Sequence, residues 1–350
     1  MYDSDQSTVT DALKNASTAV FSDDTINKIL QLTTKDNATV RFDTVAPDAS
    51  GNVTVGAGAE VVLVNSSNTF QTTVNPPANA PVVIFQGKGG VIATLNDAAA
   101  TQPSGDQSHV DRVVVGSAGN DRIIVQDAKN TQVILGTGDS SVQTGLGVDT
   151  VHAGLGNSTI VGGSGDYAVV KLAGAPTNYT VTVNNGHAIV TNQTTSKTTD
   201  ISKIQYVQLD NGNALVFAKN SVEGQVSTLY HTAFGRDADA GGLDYWFDLA
   251  KSGATLKQIS NGFASSTEFN TAHPASETNS AFIQSLYNNT FNRAGEDAGV
   301  AYWLDQMAHG ATKADIMASF AIIAIQNIQH VAPSQEAQVV GSLHIITGIV

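Results

Sequence analysis

The chain has 350 residues, 31 acidic against 17 basic, a formal charge of −14, 32 glycines and no cysteine. This length admits two or three domains, and the charge argues against nucleic acid or an anionic membrane surface as partner. The lack of cysteine excludes disulfides, thiol catalysis and Cys-ligated zinc, so stability must come from stacking, bound cations or assembly.

The N-terminus, MYDSDQSTVTDALKN, is acidic and lacks the apolar stretch of a Sec signal peptide. No run of eighteen apolar residues exists, so no helix is expected to span a bilayer. Residues 1–38 read as a helical segment. Val9, Leu13, Ala16 and Val20 recur at helical spacing, and Ser22-Asp23-Asp24 caps a second helix through Ile26, Ile29 and Leu30. A packing or capping role, a surface anchor and an assembly arm all fit this segment.

Residues 39–115 read as an irregular β region. The runs ATVRFDTV, GNVTVGAGAEVVLVN, APVVIFQG and GGVIATLN are β-branched and separated by Gly, Asn and Pro. Pro76-Pro77 and Pro81 mark one loop and Ala98–Gln107 another. Gly87-Lys88 is not part of a phosphate-binding loop, because Val82 stands where that motif needs glycine.

Residues 116–171 carry a nine-residue repeat. Gly136, Gly145, Gly154 and Gly163 are spaced by nine, with Gly138, Gly147, Gly156 and Gly165 two places later. Val142, Val151, Ile160 and Val169 supply one apolar residue per unit. Paired glycines permit turns of positive φ or close backbone approach. One apolar residue cannot be buried within a single turn, so the turns must stack as a parallel β-roll. An earlier unit, GSAGNDRII from Gly116, is one residue out of phase, which places an insertion near Gln126–Asn130.

This pattern resembles the RTX (hemolysin-type) nonapeptide repeat of proteins exported by bacterial type I secretion. The resemblance implies Ca²⁺ held between turns by aspartates and turn carbonyls. Asp121 and Asp149 occupy the family's aspartate place, while Asp139 and Asp166 sit one residue early. Asn157 and Ser158 replace the acid in another unit. The metal candidates here are Asn120, Asp121, Asp139, Asp149, Asn157 and Asp166. The alternative is a metal-free stack whose turns hydrogen-bond to one another. The resemblance also implies an uncleaved C-terminal secretion signal, for which the tail at residues 331–350 is the candidate.

Residues 172–220 read as β hairpins that cap the roll, with turns at Asn185-Gly186 and Asn211-Gly212. From 221 to 330 the pattern becomes helical and duplicated, with units near 229–269 and 286–326. Leu229 and Leu286 start two copies 57 positions apart, pairing Tyr230 with Tyr287, Phe234 with Phe291, Arg236 with Arg293, Trp246 with Trp303 and Phe263 with Phe320. The pattern resembles a tandem helical domain of unknown function that accompanies RTX repeats in secreted bacterial proteins. The tryptophans are read as core, against a sugar-binding platform. Asp237 and Asp239 place oxygens as calcium loops do, against the plainer reading of a helix N-cap.

The fold expected is therefore mainly β plus a separate α domain: a parallel β-roll or β-helix solenoid with a β cap, followed by tandem helices. No His-Glu-x-x-His, no Gly-x-Ser-x-Gly and no dinucleotide fingerprint occur. The chain is read as non-catalytic. It resembles Gram-negative surface-layer (S-layer) proteins, which implies an extracellular location on the bacterial surface. It also implies a lattice of identical copies assisted by Ca²⁺, and lipopolysaccharide or another surface glycan as anchor. A secreted adhesin or biofilm-matrix module for glycan or protein, and a hydrolase of unrecognised type, are the alternatives.

Overall fold

The computed structural model describes residues 2–16, 21–33, 39–102, 109–165, 167–184, 187–218, 220–329, 338–340 and 343–347. It divides into two compact units, Met1–Leu172 with His187–Ile204, and Ala173–Gly186 with Gln205–Val350. The first is mainly parallel β structure and the second is largely helical. Val20, Asp166 and the turn at Asn185-Gly186 lie outside the described residues.

The first unit opens with β1 (Tyr2–Asp5), α1 (Gln6–Ala16), α2 (Asp23–Thr33) and β2 (Thr39–Val45). Then come β3 (Val61–Asn65), β4 (Thr72–Val74), β5 (Val82–Gln86), β6 (Val91–Leu95), β7 (Arg112–Val115) and β8 (Arg122–Val125). The nine-residue repeats supply β9 (Thr131–Ile134), β10 (Ser140–Gln143), β11 (Asp149–His152), β12 (Ser158–Val161) and β13 (Ala168–Lys171). After β14 (Tyr179–Asn184) of the second unit, β15 (His187–Asn192) and β16 (Thr198–Ser202) return to the first.

From β3 to β13, consecutive strands alternate between two sheets. One runs β1-β2-β3-β5-β7-β9-β11-β13 and the other β15-β16-β12-β10-β8-β6-β4. All neighbours are parallel except the end pairs β1–β2 and β15–β16. The register shows why. Val142 faces Ile160 and Val133 faces Val151, each 18 positions on, which is two nine-residue units per step. Ile123 faces Val142 and Val114 faces Val133 at 19, so one extra residue sits where those intervals overlap, around Gln126–Asn130. Earlier, Val83 faces Val114 and Ala93 faces Ile123 across longer steps, and residues 103–107 of the loop expected at Ala98–Gln107 lie outside the described residues.

In-register apolar rungs fill the space between the sheets. Val62, Val83, Val114, Val133, Val151 and Val170 are all fully buried and lie side by side. The other sheet contributes Val74, Ala93, Ile123, Val142, Ile160 and Ile201. Each valine and isoleucine among them contributes about 1.5–3 kcal/mol on burial. The outer face of the first sheet is covered over its early strands. Val9, Leu13, Phe21, Ile26 and Ile29 pack on Phe42, Val61, Ile84, Val113 and Val115. Strands buried on both faces read as unbroken Val/Ile runs, as in VVIF and RVVV. Ser22 caps α2, its Oγ accepting from Thr25 N at 3.3 Å.

The paired glycines are needed for close approach between stacked turns rather than for positive φ. A Cβ on Gly154 would overlap the Gly136 carbonyl, and one on Gly136 would overlap that of Ser117. Gly154→Ala is therefore expected to lower stability by about 1–3 kcal/mol through overpacking. Thermal unfolding with an unchanged midpoint would contradict this stacking.

The second unit has β17 (Tyr206–Gln208), antiparallel to β18 (Ala214–Ala218), with Tyr206 opposite Val216. Between them Asn211 and Gly212 adopt φ of 60° and 77°, the turn expected there. Seven helices follow among the described residues. They are α3 (Ser221–Phe234), α4 (Ala240–Lys251), α5 (Leu256–Ser265), α6 (Thr267–Ala272), α7 (Asn279–Phe291), α8 (Asp297–Ala308) and α9 (Lys313–Gln329). Strands β19 (Gln338–Val340) and β20 (Leu343–Thr347) add to the sheet, β20 parallel to β18. The duplication is structural: α3, α4 and α5 correspond to α7, α8 and α9. Thr255 and Thr312 open equivalent helices with reciprocal caps, to Gln258 and Asp315.

Candidate functional site

In the first unit the acidic and amide residues of the turns form ladders. Asn120 Oδ1 accepts from Asp139 N at 2.9 Å, Asp139 Oδ1 from Asn157 N at 2.8 Å, and Asn157 Oδ1 from Thr198 N at 3.1 Å. Each side chain thus satisfies a backbone donor one turn further along. At the opposite turns Asp111 accepts from Asn130 N and Asn130 from Val148 N, at 2.9 and 2.8 Å. The Asn157 amide holds the exposed Asp139 carboxyl below its ordinary value.

Asp121 and Asp149 point inward. Asp121 accepts from Val91 N, Ser117 N and Ser117 Oγ at 2.9, 2.8 and 2.6 Å. Asp149 accepts from Thr131 N at 2.9 Å and Gly145 N at 2.7 Å. Burial raises both carboxyls, Asp149 to about 7, against the lowering effect of those donors and, for Asp149, of Arg112. N–H groups aimed at a carboxylate occupy the lone pairs a cation would use. A calcium ion also needs six to eight clustered oxygens. Among the described residues no three His, Cys, Asp or Glu side chains gather in one place. The donor sets at Asp121 and Asp149 are those of hydrogen-bond acceptors and do not fit a calcium ion.

Beside Asp149 lies a buried ion pair that sequence reading missed. Arg112 grips Asp127 with both terminal nitrogens at 2.9 Å and bonds Thr131 Oγ1 at 2.9 Å. Nothing in the sequence distinguishes this arginine from a surface residue beside a strand.

In the second unit Asp237 and Asp239 separate. Asp239 is the N-cap of α4, accepting from Gly242 N at 2.7 Å. Asp237 is buried, bonded to His231 and accepting from Ala214 N at 2.7 Å. They share no site.

Each repeat builds the same aromatic cluster around one buried phenylalanine. Phe263 meets Tyr230, Phe234 and Trp246 at 4.9, 5.8 and 4.8 Å between ring centres. Phe320 meets Tyr287, Phe291 and Trp303 at 5.0, 5.7 and 5.2 Å. The tryptophans are half-buried against this core, whereas Tyr245 and Tyr302 beside them are more than half exposed. Arg236 lies over Tyr230 and Phe234, and Arg293 over Tyr287 and Phe291. Arg236 also forms a two-pronged ion pair with Glu268 of α6, at 2.7 and 2.9 Å. The sequence pairing of the arginines was legible; the Glu268 partner was not, because its counterpart in the second copy is Ile325 and no carboxylate recurs there.

Among the described residues no helix is long and apolar enough to cross a membrane. No curated protein and no solved structure matches the chain. The domain family described as "Domain of unknown function (DUF4214)" matches residues 217–273 and 261–322, so the duplicated helical part of this chain is similar to that domain.

Proposed function

We propose that the first unit is an RTX-type β solenoid and that the protein is a non-catalytic structural component of a bacterial surface lattice. The observation that carries this reading is the register of 18 positions per step, two nonapeptides per coil, in two alternating parallel sheets. Identical coils stack without a built-in stop, and modules of this kind join through heterologous contacts that extend rather than close. Low charge density, 14% of residues, eases close packing of copies.

The net charge of −14 opposes that approach. Calcium is accordingly assigned to the surfaces between copies, where it neutralises exposed carboxylates, and not to the interior positions Asp121 and Asp149. Export by a type I system and anchoring to lipopolysaccharide or another surface glycan complete the proposal. The test is light scattering of purified chain as Ca²⁺ is added and then withdrawn with EGTA. Scattering that rises and reverses supports the reading. Scattering that stays at the monomer level throughout removes it.

A further inference from the structure

The two helical repeats hold their arginines alike but differ in one partner: the Glu268 that meets Arg236 has no counterpart at Arg293. In the first repeat α5 ends at Ser265, and Ser266 starts α6. That break turns Glu268 back onto Arg236, whose Nε and Nη2 donate to its two oxygens at 2.7 and 2.9 Å. In the second repeat no break occurs. The equivalents Ile322 and Ile323 continue α9, and the residue matching Glu268 is Ile325, buried at 1% exposure.

Arg293 is nevertheless held as Arg236 is. Its guanidinium lies 5.3 Å from the Tyr287 ring and 5.9 Å from the Phe291 ring, against 5.2 and 5.6 Å for Arg236. Its Nη1 donates to the neighbouring carbonyl, Ala294 O, as that of Arg236 does to Asp237 O. Glu296 approaches at 3.6 Å, but its counterpart Asp239 stands at 3.7 Å from Arg236 while Glu268 fills the fork. Glu296 therefore occupies the other side. Among the described residues no acceptor meets Nε and Nη2 of Arg293, and its side chain is 53% exposed.

We infer that the fork of Arg293 is a receptor for a carboxylate carried by a second copy of this chain, made in the manner of Arg236 and Glu268. The first repeat is an internal template for the ligand: a carboxylate on a protein segment, taken two-pronged. The aromatic rings have already fixed the guanidinium, so little side-chain freedom is lost on binding. Copies of a chain with 31 acidic and 17 basic residues bring carboxylates in excess, and an oriented cation selects one of them. The inference rests on the lattice reading and gives it one contact.

The experiment is sedimentation velocity of the full chain over a concentration series, with Arg293→Gln and Arg293→Lys, each checked by its unfolding temperature. Arg293→Gln is expected to weaken self-association at least about tenfold, while loss of the guanidinium from the two rings lowers the unfolding temperature only slightly. Arg293→Lys is expected to fall between, because an ammonium keeps the charge but not the fork. Wild type and both variants associating alike overturns this contact and leaves the lattice reading standing. Wild type remaining monomeric throughout overturns both. A uronic-acid oligosaccharide that shifts the Arg293 side-chain NMR signal of a monomeric chain assigns the fork to carbohydrate and overturns the second copy as occupant.

Discussion

Arg112→Met is expected to destabilise the first unit by about 3–5 kcal/mol, the largest loss of any single polar replacement in it. The Arg112 and Asp127 side chains are 2% and 0% exposed. Removing the guanidinium leaves Asp127 charged and buried, with only the backbone donors of Asp97 and Lys129 at 2.8 and 3.1 Å. The double variant Arg112→Met/Asp127→Asn is expected to be more stable than Arg112→Met alone, because no uncompensated charge remains. The two sites touch, so their effects do not add. Urea unfolding midpoints for the three proteins check this, and a double variant weaker than the single one would contradict it.

The second large effect is on pH dependence, and it comes from two residues of β11. Burial pushes Asp149 up to about 7. Burial, with the charge of Lys171, pushes His152 down to about 4. Gln132 Nε2 donates to His152 Nε2 at 2.7 Å, which requires that nitrogen unprotonated. Between about pH 4 and 7 the folded state holds a proton on Asp149 that the unfolded chain has released, so this group's stabilisation is lost as pH rises. Between about pH 4 and 6.5 the unfolded chain protonates His152 and the folded state does not, so stability is lost as pH falls. In the shared window the two slopes, each at most about 1.4 kcal/mol per pH unit, oppose one another. Relative to wild type, Asp149→Asn is expected to gain stability as pH rises from 4 to 7. His152→Gln is expected to lose it over 4 to 6.5. Denaturation series at matched pH read both differences directly. Parallel profiles for the two variants would contradict the assignment.

The part of the fold carried by spacing was readable. The nine-residue period became an 18-position register, and the out-of-phase unit at Gly116 became a 19-position step. The 57-position repeat became equivalent helices with equivalent caps. Features carried by tertiary approach were not readable. Thr72–Val74 is a strand only because Thr72 to Val74 pair with Val91 to Ala93; three residues before Pro76-Pro77 give no period of their own. Of the β-branched run beginning at Gly51-Asn52, only Val61–Asn65 is a strand, and Asn52 makes an isolated bridge to Asn75.

The candidate site was legible as a set of turn residues and not as a set of roles. Asn120, Asp139 and Asn157 do bond in succession, each accepting from the backbone of the next. Their oxygens face backbone donors because the glycines beside them let neighbouring turns approach closely. Asp237 looked like a loop ligand by its alternation with Asp239. Its burial against His231 depends on a strand residue, Ala214, that no local pattern connects to it.

The most direct measurement is negative-stain electron microscopy of the purified chain in about millimolar Ca²⁺ and then in EGTA. Ordered sheets or tubes that disperse in EGTA while the chain itself stays folded are expected, on the proposal that calcium acts between copies and that the stacked turns are held by their own hydrogen bonds. Dispersed single particles in every condition would contradict the lattice. Unfolding of the chain in EGTA would contradict the placement of calcium outside the turns.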